Sequence, residues 1–291
     1  YTKDLMDTFW DINGKNIIRM KENLHAGTSW RSNELMEEQD NYDIAASSQQ
    51  VLEFVVGHIM AHARVSCKSK NLVYMGGVAL NCVANSKIAK NWSDIWIMPN
   101  PGDAGSSLGA AALTYGKRLR WESPYLGYNI PGQYPEVELL KELLEGNIVG
   151  VANGRAEFGP RALGNRSLLA NPSNPNIKEI INSKIKIREN FRPFAPSILE
   201  EYVGEYFENT KKVNYMSMVY KVKKDQSNKI PGVCHVDGTG RLQTVSKKVN
   251  PIFYELINEL YSINDIPMVL NTSLNENEPI VMKPEQALDL F

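Results

Sequence analysis

The sequence is poor in paired cysteines, in long apolar runs and in net charge, and each shortage removes a class of protein. Its three cysteines, Cys67, Cys82 and Cys234, are far apart, odd in number and without Cys-x-x-Cys spacing. That argues against a disulfide or zinc framework and suits reduced, buried thiols of a cytoplasmic protein. No apolar run approaches the ~18 residues of a membrane span. The 32 Lys and Arg against 33 Asp and Glu leave a formal net charge of −1, which disfavours a globally basic nucleic-acid binder. There is no internal repeat and no low-complexity tract.

What is present is ordinary globular material: 291 residues, 43% hydrophobic and 9% aromatic, about two domains by the usual ~150-residue prior. The chain opens at Tyr1 and stops at Phe291 inside the helical-looking run that starts at Lys283. It reads as a piece of a longer protein.

Residues Tyr1 to Asp40 mix charge and aromatics without a sustained period and receive no firm structure. Asp43 is a plausible helix cap, and Val51, Phe54, Val55, His58, Ile59 and His62 recur on one helical face. Short strands at Leu72–Met75 and Ile95–Met98 are each followed by a glycine turn, and the second turn leads into a helix from Ser106 to Tyr115. This layering of helix, strand and glycine turn predicts an α/β fold. The Pro-, Gly- and Tyr-rich stretch between Leu119 and Pro135 marks a boundary, dividing the chain into 1–128 and 129–291. Beyond it the pattern predicts a helix from Glu136 to Glu145 closed by Gly146 and a buried strand from Ile148 to Ala152. Further strands are expected around Phe194–Leu199, Tyr215–Val222 and Pro267–Leu270, and helices over Asn176–Lys184 and Pro251–Tyr261.

The small net charge hides a local imbalance. Between Asn153 and Phe194 lie eight basic residues against three acidic ones, a local net of +5, so the remainder carries −6. Five of the eight are Arg155, Arg161, Arg166, Arg188 and Arg192. Arginine offers a planar fork for phosphate or carboxylate. These five are interleaved with glycines and with Phe158, Leu163, Leu168, Leu169 and Phe191, which favours a concave oxyanion pocket over a solvated basic face.

The turn Gly76-Gly77-Val78-Ala79-Leu80-Asn81 follows a strand and precedes a helix, where backbone can approach a nucleotide. It is neither a dinucleotide fingerprint nor a Walker loop, and a plain tight turn is the alternative. At Gly102-Asp103-Ala104-Gly105, Asp103 is either a helix cap or a ligand for metal near phosphate. His58 and His62 have the spacing to share a metal, but they lie on an apolar stripe with no acidic residue to complete a site, so that role is rejected.

Taken in order, the two glycine turns, Gly154 to Ser167, the run Arg188-Glu189-Asn190-Phe191-Arg192-Pro193-Phe194-Ala195-Pro196 and Asn271-Thr272-Ser273-Leu274-Asn275 closely resemble O-carbamoyltransferases of the NodU, CmcH and TobZ type. The resemblance runs from about Asp43 onward. It implies a mixed α/β fold in which the second half of an actin-like ATPase (TsaD-like) domain, 1–128, is followed by a C-terminally truncated YrdC-like α/β domain, 129–291. It also implies that ATP and carbamoyl phosphate form carbamoyl adenylate in the YrdC-like part. The TsaD-like part then passes the carbamoyl group to the hydroxyl of a small molecule or sugar, aided by a metal, iron or alternatively magnesium.

By the same resemblance Lys186, Arg188, Arg241, Ser273 and Asn275 are catalytic, with Lys186 and Arg188 in a Lys-x-Arg signature and Ser273 and Asn275 in its Ser-x-Asn partner, all facing nucleotide and carbamoyl phosphate. Arg155, Arg161, Arg166, Arg192 and Asn271 bind substrate, Gly76, Gly77 and Asn81 contact adenosine, and Asp103 is a metal ligand. The two metal-binding histidines of the family are expected upstream of this chain, which alone should not complete transfer. The expected setting is cytoplasmic, with a homodimer as the candidate assembly and without nucleic acid or membrane. Two rival readings stand beside it: a threonylcarbamoyl-adenylate or tRNA-modifying enzyme, and a non-catalytic nucleotide-binding module.

Overall fold

The computed structural model describes residues 1–13, 17–22, 24, 29–31, 34, 37–208 and 211–290. Phe291, the last residue of the run expected to be helical, lies outside them. The chain divides into two units, Tyr1–Leu72 with Ala84–Trp96, and Val73–Val83 with Ile97–Phe291, and the fold is mixed α/β.

The first unit has regular structure where the sequence pattern assigns none. Helix α1 (Thr2–Phe9) runs into the antiparallel pair β1 (Trp10–Asn13) and β2 (Ile17–Met20). Helix α2 (Glu38–Ser66) is 29 residues long. Its cap is Glu37, not Asp43, which lies in the second turn; the Glu37 N–H donates to Asp40 Oδ2 at 3.2 Å in a capping box. Its buried stripe is Val51, Val55, Val56 and Met60, while Phe54 and Ile59 are half exposed. A four-residue step overshoots the 3.6-residue turn, so the covered face drifts off the predicted one. The strands β3 (Asn71–Val73) and β4 (Asp94–Trp96) start one residue earlier than expected and are shorter, with α3 (Cys82–Ile88) between them.

In the second unit, α4 (Ser106–Tyr115) has its expected bounds. Then follow β5 (Asn129–Ile130), α5 (Glu136–Leu144), β6 (Val149–Ala152), β7 (Gly154–Arg155), β8 (Arg166–Ala170), α6 (Ile177–Lys184), β9 (Ala195–Leu199), α7 (Val203–Tyr206), β10 (Val219–Lys221), β11 (Thr239–Arg241), β12 (Gln243–Val245), α8 (Pro251–Asn264), β13 (Met268–Ser273) and α9 (Pro284–Asp289). Gly146 at φ 85° closes the end of α5.

Five strands form one sheet in the order β12-β9-β13-β8-β6, with β12 and β9 parallel and the other pairs antiparallel. Strands β8 and β9 are buried at every position and so lack a two-residue alternation; β9 lies where a strand is expected around 194–199, and β8 has no counterpart among the expected strands. Leu139 and Leu143 of α5 and Phe253, Leu256, Ile257 and Leu260 of α8 pack on Leu169, Leu199, Val245 and Val269. Side chains alternate along a strand, so Asn271 and Ser273 share the face of Val269, beyond its apolar part. The functional residues gather at that end of the sheet.

The cysteines correct another expectation: Cys67 is exposed, and Cys82 and Cys234 are only half-buried.

Candidate functional site

The polar end of the sheet is built from the inside outward. Asn271 is fully buried and its Nδ2 donates to Ser197 Oγ at 2.9 Å and Gln243 Oε1 at 3.1 Å, with the Ala162 carbonyl at 3.3 Å. Gln243 Nε2 in turn donates to the Leu163 carbonyl at 2.9 Å. Three adjacent strands and the loop 156–165 are thereby tied together. The loop turns because Gly164 holds φ 119°, and a Cβ there would lie 2.5 Å from the Phe253 ring. Only glycine fits both constraints.

Outside this network lies a cavity of about 410 Å³ lined by Arg161, Arg188, Arg192, Arg241, Asn271 and Ser273, among others, with no carboxylate in its wall. Arg188 is braced by its Nε donating to Asn182 Oδ1 at 2.7 Å and by lying over the Phe194 ring at 5.0 Å. Arg192 bonds Glu189 at the exposed rim. Arg241 Nε and Asn271 Oδ1 are buried without a hydrogen-bond partner, a cost the fold would shed if a ligand met them. Burial, with Arg161 and Arg188 close by, pushes the Arg241 guanidinium down to about 10. Converging cations that repel one another, with Glu189 at the rim as an acidic partner of Arg192 and no carboxylate in the wall itself, favour an anion.

Lys186 is placed differently from the arginines. It lines neither this cavity nor the one beside it. Its buried Nζ donates to the Ser273 carbonyl at 2.6 Å, the Asn275 carbonyl at 2.5 Å and Asn275 Oδ1 at 2.8 Å. Burial and then Arg188 push this ammonium down to about 8, against the pull of Glu278. Ser273 Oγ donates to Asn275 Oδ1 at 2.6 Å, and Asn275 Nδ2 to the Glu278 carbonyl at 2.5 Å. The four members of the two signatures do come together, with Lys186 as the pin beneath the Ser273–Asn275 turn and Arg188 facing the cavity.

The remaining expected residues divide. Arg166 is fully buried and spends Nη1 and Nη2 on the carbonyls of Asn153, Asn165, Tyr128, Gly154 and Met282 at 2.7 to 3.1 Å. Arg155 is exposed and donates to the Leu126 carbonyl at 3.0 Å. The structure therefore separates both from the arginine cavity. The two glycine turns touch: the Gly76 N–H donates to the Pro101 carbonyl at 2.7 Å, and a Cβ on Gly102 would lie 3.9 Å from the Gly77 Cα. Asn81 is the C-cap of the 3-10 turn Gly77–Leu80. Asp103 is exposed and is not the cap: it is the first residue of the 3-10 turn Asp103–Gly105, whose N-cap is Gly102. Among the described residues no group of three or more His, Cys, Asp or Glu could hold a metal, so the residues present do not make a metal site around Asp103. His58 stacks on Phe54 and His62 is exposed.

Sequence reasoning passed over Glu157. Its Oε1 accepts the N–H groups of Leu163 at 2.7 Å, Asn165 at 2.9 Å and Arg166 at 3.3 Å. Burial raises this carboxyl and the three N–H groups oppose it. A single acidic residue inside a Gly-Arg motif was the available signal.

Residues 5–112 match the family model Carbamoyltransferase N-terminus, and residues 140–291 match Carbamoyltransferase C-terminus. Nodulation protein NolO of Bradyrhizobium diazoefficiens is 38% identical over 87% of this chain and 52% of its own length. Nodulation protein NolNO of Sinorhizobium fredii is 35% identical over 99% of this chain and 48% of its own. Nodulation protein U of Rhizobium tropici is 34% identical over 82% and 45%. The chain spans about half the length of the curated relatives it matches.

Proposed function

The chain belongs to the carbamoyltransferase family, and from that premise we propose that it contributes to an ATP-dependent O-carbamoyltransferase whose arginine cavity binds carbamoyl phosphate and the phosphates of ATP. The observation that carries this reading is the cavity wall: Arg161, Arg188, Arg192 and Arg241 with no carboxylate among them, and two buried polar atoms without partners. Carbamoyl phosphate gives up inorganic phosphate to water and leaves carbamate, whose oxygen attacks the α-phosphorus of ATP as pyrophosphate departs, and fixed guanidinium groups of this kind neutralise the charge that develops. The product of that step is carbamoyl adenylate. The acceptor's hydroxyl oxygen then attacks its carbamoyl carbon, and AMP leaves.

On this reading residues 129–291 form a YrdC-like domain and residues 1–128 a TsaD-like part. Arg188 and Arg241 touch the phosphates, Ser273 and Asn275 present the carbamoyl group, and Gly76, Gly77 and Asn81 lie against adenosine in the transfer step. Iron or magnesium at Asp103 would take its other ligands from outside the described residues, so no step is routed through it. The acceptor is a small molecule or sugar, the setting cytoplasmic and the candidate assembly a homodimer. No described helix is long and apolar enough to cross a membrane.

Calorimetry with carbamoyl phosphate and ATP tests the proposal. Both should bind the chain and lose affinity together in Arg241→Ala. A folded chain that binds neither ligand refutes it.

A further inference from the structure

Asn182 is fully buried in the last turns of α6, and it grips the segment that follows the helix. Arg188 Nε donates to its Oδ1 at 2.7 Å, and the Arg188 N–H donates to its backbone carbonyl at 3.0 Å. Its Nδ2 donates to the carbonyls of Arg192 at 3.0 Å and Asn190 at 3.4 Å. The amide is thus spent on one turn, 188–192, from which Arg188, Phe191 and Arg192 line the arginine cavity. The entrance to that turn is strained. Ile187 stands at φ 43°, a left-handed conformation that glycine adopts freely and a β-branched residue does not. Its side chain is exposed, so packing does not compensate. Such strain persists where bonds on both sides over-determine the backbone. Before Ile187, the Lys186 N–H donates to the Ile181 carbonyl at 2.8 Å and Nζ is pinned beneath the Ser273–Asn275 turn; after it comes Asn182's grip on Arg188.

We infer that Asn182 is a positioning residue for the arginine cavity: by holding Arg188 at Nε, against the strain at Ile187, it leaves the outer fork of the guanidinium, Nη1 and Nη2, for an anion. The inference rests on the phosphate reading above and adds the residue that aims one of its arginines. A guanidinium is planar, with its donors in a fixed fork. Fixing Nε therefore fixes the direction of the other two nitrogens, and the Phe194 ring at 5.0 Å covers one face of the group. A free arginine loses rotamer freedom when it meets its ligand, whereas a braced one has lost it on folding, so the brace adds to affinity. The strain makes the brace necessary. Without Asn182 the backbone at Ile187 is driven back to an ordinary φ, and Arg188 leaves its place.

The test measures inorganic tripolyphosphate binding to the 291-residue chain by calorimetry, with the melting temperature of each variant alongside. Asn182→Ala should weaken binding about tenfold, the scale of one hydrogen bond to a charged group. Arg188→Lys keeps the charge but has no Nε to hold. It should weaken binding by a similar factor, and adding Asn182→Ala to it should cost about threefold or less, since the two changes remove one interaction. Ile187→Gly relieves the strain. Combined with Asn182→Ala it should bring the melting temperature back toward wild type and leave tripolyphosphate about tenfold weaker, which also covers the case in which Asn182→Ala alone fails to fold. Affinity that returns together with stability overturns the inference, because Asn182 then serves the fold alone. So do losses that multiply to about a hundredfold in the Asn182→Ala, Arg188→Lys chain, or a folded Asn182→Ala chain that binds as wild type. Each of these leaves the phosphate reading standing, whereas a wild-type chain that does not bind tripolyphosphate overturns both.

Discussion

Arg161 and Arg166 stand five residues apart in one motif, yet they do opposite work. Arg161 lines a cavity among three other guanidinium groups, and Arg166 is enclosed by carbonyls from Tyr128, the loop 153–165 and Met282. A buried arginine is tolerated in either of two ways: the chain supplies acceptors, as it does for both Nη atoms of Arg166 and not for its Nε, or an anion from outside does. The first kind stabilises the fold. The second is held ready for a ligand and costs stability until the ligand arrives.

Substitutions can break this contrast, and the largest effect should fall on the enclosed member. Arg166→Ala strips the partners from five carbonyls and should cost roughly 3–5 kcal/mol of stability, read as a lowered urea midpoint or loss of soluble protein. Arg241→Ala should behave in the reverse sense. The apo chain should keep or gain stability, because a buried cation is relieved of its neighbours, while affinity for inorganic phosphate or tripolyphosphate falls on the order of 100-fold, about 2.7 kcal/mol. If both variants lose stability alike, the division between the two arginines is wrong.

Gly164→Ala should cost about 1–3 kcal/mol, since it combines an unfavourable φ with a contact against Phe253 that neither element can relax. Lys186 offers a pH test. Its folded value of about 8 lies below the usual lysine range, so the unfolded chain binds more protons between the two values. Stability contributed by this group therefore rises with pH across that window. Measured from pH 8 to 10, the melting temperature of the wild-type chain should gain on that of Lys186→Met, and parallel curves would remove the pin from its buried place. The smallest effect belongs to Arg155→Ala. Exposed and outside both cavities, it should shift stability by no more than about 0.5 kcal/mol and leave phosphate binding within about twofold.

The same contrast explains what could be read in advance. Helices α4 and α5 and strand β6 carry their own signals, small residues behind a glycine turn, an amphipathic repeat closed by Gly146 and an apolar run, and they fold nearly within the predicted bounds. Strand β8 was hidden inside the basic stretch. It opens with Arg166, a charge that only tertiary contacts neutralise, and has no alternation because both its faces are covered. The arginine cavity was legible as a concentration of charge among glycines. Which arginines faced it was not, since Asn153 O and Met282 O lie 13 residues before and 116 after Arg166. The start of the chain was unreadable for another reason: α1, β1 and β2 are short, and their pairing lies outside any local periodicity.

Gly159 sits at φ 147°, and a side chain there would drive its first carbon to 2.3 Å from the Pro99 carbonyl oxygen. In evolutionary terms the two positions are a lock and its keyway, separated by sixty residues of chain. Any chimera that grafts the Gly-Arg segment of one relative onto the other half of another inherits the need for a bare backbone at this contact. Recombination points between Asn100 and Phe158 should therefore be tolerated only among parents that keep both halves of it.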